Sequence, residues 1–196
     1  MRLLPVRFFD RPADVVARAL LGAVVVSDAG GVRTAGRIVE TEAYLAHTDP
    51  ASHGFGNRRT ARNAAMFGAP GDWYVYRIYG MHWCANLVTE PAGIASAVLL
   101  RALEPLEGLD AMRARRGRGR PIPDRALCSG PGKLCQALGI TRTLDGQPMR
   151  AAPVRVLRGR ALPDAAVRVT GRIGITRAAD WPLRFVVADS PWLSRR

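Results

Sequence analysis

The sequence places five runs rich in β-branched and aromatic residues within its first 103 positions: Ala23 to Ser27, Val32 to Tyr44, Trp73 to Ile78, Trp83 to Thr89 and Ser96 to Leu103. Two of the joints between them, Asp28-Ala29-Gly30-Gly31 and Tyr79-Gly80-Met81-His82, are short and contain glycine, which suits antiparallel hairpins. Sheet rather than helix therefore organises this chain. Asp10 is placed to cap a first helix running to about Leu21, with Pro12 in its first turn and Val15, Val16, Ala19 and Leu20 as its apolar stripe. Shorter helical candidates lie at Thr60 to Phe67, at Glu107 to Arg116, and after Ser129-Gly130-Pro131-Gly132-Lys133 as far as Leu138. Strands resume at Val167 to Thr176 and Leu183 to Val187. A chain of 196 residues without an evident linker or repeat suits one core, so the expected fold is a single mixed α+β domain over residues 1–196.

Charge narrows the partners. Twenty-nine basic residues against 16 acidic ones give a formal charge of +13, which favours a polyanion such as nucleic acid. Lys133 is the only lysine, so nearly all of that charge is arginine, whose guanidinium can grip a phosphate through two nitrogens. The polar segment 45–71 carries His53, Arg58, Arg59 and Arg62 and reads as a basic functional loop. The Arg115 to Arg120 run reads either as solvated surface or as a phosphate contact. Cys84, Cys128 and Cys135 form no CxxC pair and have no zinc spacing, so no metal is expected. With no apolar run of the ~18 residues that a membrane span requires, and no leader-like N-terminus, a cytoplasmic protein with reduced thiols and no membrane partner is expected.

Two stretches carry the candidate chemistry. In Gly36 to Tyr44, strand alternation puts Ile38, Glu40, Glu42 and Tyr44 on one face, so two carboxylates share a side with apolar neighbours. A partly buried carboxylate is costly unless it serves structure or chemistry, and a strand-end salt bridge stays open as the structural alternative. In Asp72 to Trp83, aromatics crowd both arms of a hairpin. Core packing accounts for Trp73, Tyr74 and Trp83 better than for Tyr79, which sits beside Gly80 at the turn and is placed to wedge between bases.

These stretches, Arg37 to Tyr44 and Tyr74 to Met81, resemble the alkyladenine, or 3-methyladenine, DNA glycosylase family. Further similar blocks are Leu99 to Gly108, Leu127 to Leu138, Pro182 to Phe185 and Ser190 to Trp192, which together cover nearly the whole chain in order. The resemblance implies a curved antiparallel sheet with flanking helices and a protruding hairpin that inserts into DNA. It implies that Glu42 is the general base and that Arg101 lies close to it and helps position the attacking water. Tyr44, His53 and Tyr76 would line a base pocket, with Tyr44 stacked on the flipped base, and Asn86 would disfavour the amino group of guanine. Tyr79 would intercalate, and Met81, His82, Arg59, Arg62, Ser129 and Lys133 would contact DNA.

The partner implied is double-stranded DNA carrying damaged purines, met by a monomer without a cofactor. With Arg101 beside it, Glu42 would stay ionised and competent at neutral pH. His82 and Trp83 stand where the family often has other aromatics, and the Arg113 to Arg120 segment is particular to this chain. The same residues also admit a non-catalytic nucleic-acid-binding module, in which the acidic pair is structural, or an accessory domain acting on tRNA.

Overall fold

The computed structural model describes residues 2–117 and 119–195. Its eight strands form one wholly antiparallel sheet: β1 Val24–Ser27, β2 Thr34–Tyr44, β3 Trp73–Ile78, β4 His82–Thr89, β5 Ser96–Glu107, β6 Val154–Leu157, β7 Val167–Thr170 and β8 Arg184–Val187. The main path runs β3-β4-β5-β2-β1-β6, and β8 branches from β2 with β7 beside it. The 11 residues of β2 therefore do three jobs. Residues 34–37 pair with β1 and residues 40–42 with β8, while the strand pairs with β5 over most of its length.

A six-strand path of twisted antiparallel sheet curls, and here its two ends meet. Trp73 on edge strand β3 is fully buried and donates its indole N–H to the carbonyl of Val154 on the opposite edge strand, β6, at 3.0 Å. The result is a curved, half-barrel sheet with helices packed against it, the α+β architecture expected.

Among the described residues four α-helices flank the sheet: α1 Val6–Phe9, α2 Ala13–Leu20, α3 Leu109–Gly117 and α4 Pro131–Leu138. The first expected helix is shorter than its pattern. Asp10 does not cap it, because the chain turns once as α1 and restarts after Pro12, which occupies the N-cap of α2. The buried stripe is Ala13, Val16, Ala17 and Leu20, while Val15 points to solvent at 43% exposure. Docking on β2, where Thr41 donates its hydroxyl to the carbonyl of Ala17 at 2.9 Å, sets that rotation. Strand β5 extends through Glu107, past the expected end at Leu103, so α3 begins only at Leu109.

Segment 60–67 yields only a 3₁₀ turn at Ala64–Phe67, and β7 stops at Thr170. The arginines of α3 are tied down rather than loose: Arg115 donates to the carbonyls of Ala137 and Ala29, and Arg116 to Leu127, Ala126 and Gln136. Arg113 pairs with Asp110 and Asp124. The basic run expected there as solvated surface or a phosphate contact is thus, through Arg116, a set of clamps joining α3 to its neighbours; Arg118 lies outside the described residues. Among the described residues, no helix is long and apolar enough to cross a membrane.

If the Trp73 bond fastens the curl, Trp73→Phe should lower unfolding stability by at least about 1–3 kcal/mol, the usual cost of stranding a buried hydrogen-bonding group. Urea denaturation measures it, and an unchanged midpoint would show that the two sheet edges are held together by other contacts.

Candidate active site

Strand β2 is irregular where its chemistry lies. Its register against β5 shifts between Ile38 and Glu40 and again between Glu40 and Thr41, opposite the stretch of β5 that holds Arg101. Such bulges re-aim side chains. Ile38 accordingly enters the main apolar core with Ala43, whereas Glu40 and Glu42 both turn to Arg101. Simple alternation, which puts Ile38 beside the carboxylates, is corrected by the bulge.

Both carboxylates are fully buried and both are partnered. Glu40 accepts from Arg101 Nε at 3.0 Å, from Arg184 Nε at 2.8 Å, and from the backbone N–H and hydroxyl of Ser194, each at 2.7 Å. Three of those bonds fall on Oε1 and one, from the Ser194 N–H, on Oε2, so four donors hold this carboxylate in place. Glu42 accepts only three: Tyr44 hydroxyl at 2.9 Å and Arg101 Nη1 at 3.2 Å on Oε2, and Ile173 N–H at 2.7 Å on Oε1. One acceptor site on Oε1 remains, which is what a base that takes a proton from water requires.

The two groups are pushed apart electrostatically. Burial raises the Glu42 pKa from its ordinary value, and this outweighs the opposing pull of Arg101, Ile173 and Tyr44. Arg101 acts in the expected sense, favouring the charged form of Glu42, but its pull is smaller than the effect of burial. Burial acts on Glu40 in the same sense, but the Ser194, Arg184 and Arg101 contacts overcome it and leave Glu40 lowered. Burial also opposes the charged form of Arg101, yet Glu42 and Glu40 prevail and its pKa is raised. Glu40 is thus the fixed anion and Glu42 the adjustable one.

Three of Glu42's partners, Tyr44, Arg101 and Ile173, line a cavity of about 420 Å³. That lies within the range of about 300–1,000 Å³ typical of small-molecule sites. Its walls are aromatic. Tyr74 and Tyr76 stack with ring centres 5.3 Å apart, and His53 meets Tyr76 edge-on at 4.6 Å while its Nδ1 bonds the Tyr74 hydroxyl at 2.7 Å. Partial burial and then the charge of Arg62 lower the His53 pKa, which favours neutral imidazole at neutral pH. Asn86 is buried in the wall and fixed by donating its amide N–H to the carbonyl of Tyr74 at 3.0 Å. Behind Tyr44 lies Arg172, 4.7 Å over the ring and paired with Asp49, both side chains being fully buried.

The hairpin tip stands at the rim. Tyr79 is 80% exposed and Met81 68% exposed, and Tyr79 adopts a left-handed φ of 51° that is strained for an aromatic residue. The Met81 N–H closes the turn on the Ile78 carbonyl. Of the residues singled out from sequence, Tyr44, His53, Arg62, Tyr76, Tyr79, Asn86, Arg101 and Ser129 line the one cavity, and Glu42 sits directly behind it. Arg59, Met81, His82 and Lys133 do not line it. His82 packs against Gly132, where an added Cβ would stand 2.9 Å from the His82 Cβ. Lys133 bonds the Ser129 hydroxyl at 3.3 Å, and Arg59 lies 5.6 Å over the Phe67 ring.

Sequence reasoning missed Ile173, Arg184 and Ser194, which serve the carboxylates from the C-terminal third, and it accounted for Tyr74 by core packing, whereas this buried residue also lines the cavity. One signal was available: two buried carboxylates beside a single arginine leave acceptors that something else must satisfy.

Comparison with known proteins matches the family model described as methylpurine-DNA glycosylase over residues 7–191. A Rhodopseudomonas palustris protein, provisionally named a 3-methyladenine DNA glycosylase, is 55% identical over 190 residues, covering 96% of this chain and 86% of that protein. The DNA-3-methyladenine glycosylases of mouse and human are 49% and 47% identical, covering 95% and 97% of this chain and 60% and 67% of theirs. With a family match over nearly its full length and relatives near half identity, this chain belongs to the methylpurine-DNA glycosylase family, hydrolases of the N-glycosyl bond.

Proposed function

We propose that this protein is a monofunctional DNA glycosylase that flips an alkylated or deaminated purine out of duplex DNA and hydrolyses its bond to deoxyribose, leaving an abasic site. The observation that carries this reading is a buried carboxylate with one open acceptor, Glu42, behind the wall of an aromatic cavity whose rim bears an exposed tyrosine. A module that only bound nucleic acid would have no use for a desolvated acid–arginine pair beside its pocket.

In this reading Tyr79 enters the duplex and fills the space left by the extruded nucleotide. The purine stacks between Tyr44 and the His53–Tyr76 side, and Asn86 crowds the position where guanine carries its amino group. Arg101 fixes the attacking water with Glu42, which takes the water's proton as the glycosidic bond breaks. The same carboxylate stabilises the oxocarbenium character developing on the sugar. Arg59, Arg62, Ser129, Lys133, Met81 and His82 hold the DNA around the rim. The substrate class comprises 3-methyladenine and 7-methylguanine, whose leaving bases are already cationic, and neutral hypoxanthine and ethenoadenine. A Schiff-base route needs an amine at the sugar, and the only lysine, Lys133, lies outside the cavity lining. The enzyme acts as a monomer.

Incubation with a duplex carrying 7-methylguanine, followed by alkali, should give strand scission at the lesion, and scission without alkali would contradict a monofunctional enzyme. Because Glu42 must be ionised to act and burial raises its pKa, the single-turnover rate should fall as pH drops, at a higher pH than that at which an ordinary glutamate titrates. A rate that stays flat through the pH at which an ordinary glutamate titrates would remove Glu42 from the role.

For the exposed tip, Tyr79→Ala should slow excision of well-paired hypoxanthine by on the order of 10²-fold or more, as a few kcal/mol of extrusion energy is lost, and should spare mispaired hypoxanthine more. An equal loss on both duplexes would show that Tyr79 does not support extrusion.

A further inference from the structure

The C-terminal segment returns to the carboxylates from outside the catalytic strands. Arg184 on β8 donates to the carbonyl of Arg195 at 2.8 Å and to Glu40, fastening the segment against β2. Ser194 then contacts both members of the pair that supports Glu42. Its backbone N–H and its hydroxyl donate to the two oxygens of Glu40, and the same hydroxyl accepts from Arg101 Nη2 at 3.3 Å. The guanidinium of Arg101 is thereby held at three nitrogens, with Glu40 on Nε, Ser194 on Nη2 and Glu42 on Nη1. A planar fork bonded at three corners cannot rotate away from Glu42 without breaking a buried bond.

We propose that Ser194 is a positioning residue of the active site, whose hydroxyl locks Arg101 and Glu40 in the arrangement that aims Arg101 Nη1 at Glu42. The proposal rests on the assignment of Glu42 as the base. The hydroxyl can make both bonds because it is donor to one neighbour and acceptor from the other, so the Glu40–Ser194–Arg101 order is fixed in direction. Alanine at this position keeps the backbone N–H bond to Glu40 but loses both hydroxyl bonds. Arg101 Nη2 is then unheld, and its pull on Glu42 weakens.

Among the described residues, the charged and titratable groups around Glu42 are Arg101 on β5, Glu40 and Tyr44 on its own strand, Arg184 on the paired strand β8 and Cys84 on β4, with Arg172 behind Tyr44. Arg101 is foremost among those that lower Glu42, whereas Glu40 raises it. Loosening Arg101 should therefore move the Glu42 titration to higher pH.

The test compares the full chain with Ser194→Ala and Ser194→Thr in two measurements. The first is a carbon-13 titration of the Glu42 carboxyl, identified by the signal lost in Glu42→Gln, and it does not depend on activity. The second is single-turnover excision of 7-methylguanine, alongside equilibrium binding of the same duplex. In Ser194→Ala the Glu42 titration should move to higher pH and excision should slow by up to about 10²-fold with binding unchanged, as expected when a positioned group is displaced. Ser194→Thr retains a hydroxyl and should restore both.

An unmoved Glu42 titration in Ser194→Ala, or a titration that moves to lower pH, overturns the proposal. So does a Ser194→Thr variant as impaired as Ser194→Ala. If the parental chain leaves every lesion intact while the titration shifts as stated, the glycosylase reading fails and the positioning of Arg101 by Ser194 stands.

Discussion

Two carboxylates buried side by side are the constraint around which this molecule is arranged. Taking one ionised carboxylate out of water costs several kcal/mol, and two together repel, so neither Glu40 nor Glu42 could be kept where it is without close donors. Arg101 stands between them and satisfies part of each. The remainder comes from far along the chain, with Ile173 on Glu42 and Arg184 and Ser194 on Glu40. The C-terminal third is therefore a component of the site as much as of the fold.

The unequal sharing of donors gives the pair its division of labour. Glu40, held by four donors and lowered by them, is an anion that anchors Arg101, whereas Glu42, held by three and raised by burial, is poised to exchange a proton. Pairs of acids whose surroundings push them in opposite directions are a recurring arrangement where one group does chemistry and the other holds it in place. The curl of the sheet then brings the aromatic hairpin, the loop bearing His53 and the carboxylate strand to one cavity, with Tyr79 left at the rim.

Much of this was legible in the chain. The alternation of β-rich runs announced an antiparallel sheet, Gly80 beside Tyr79 announced an exposed turn, and the pairing of Glu40 with Glu42 announced a site. Helix and strand limits were less legible because tertiary contacts set them: docking on β2 rotated α2 away from Val15, and pairing with β2 drew β5 out to Glu107. The bulge beside Glu40, which sends Ile38 to the core, has no signature in residue type and arises from pairing with β5. Ser194 and Ile173 were invisible for a different reason. Ile173 contributes a backbone N–H, which every residue but proline carries, and Ser194 adds to its own N–H a hydroxyl that any serine has, so only the folded chain shows which ones are used.

The account turns on Glu42 being the group that activates water while Glu40 serves structure. Single-turnover excision of 7-methylguanine by Glu42→Gln and Glu40→Gln, with duplex binding measured in parallel, addresses that directly. Glu42→Gln keeps the shape of the side chain but cannot accept the proton, so excision should fall by at least about 10²–10⁴-fold with lesion binding intact. Glu40→Gln should chiefly lower unfolding stability and retain more activity than Glu42→Gln. Parental excision by Glu42→Gln, or its survival there alongside abolition in Glu40→Gln, would contradict the account.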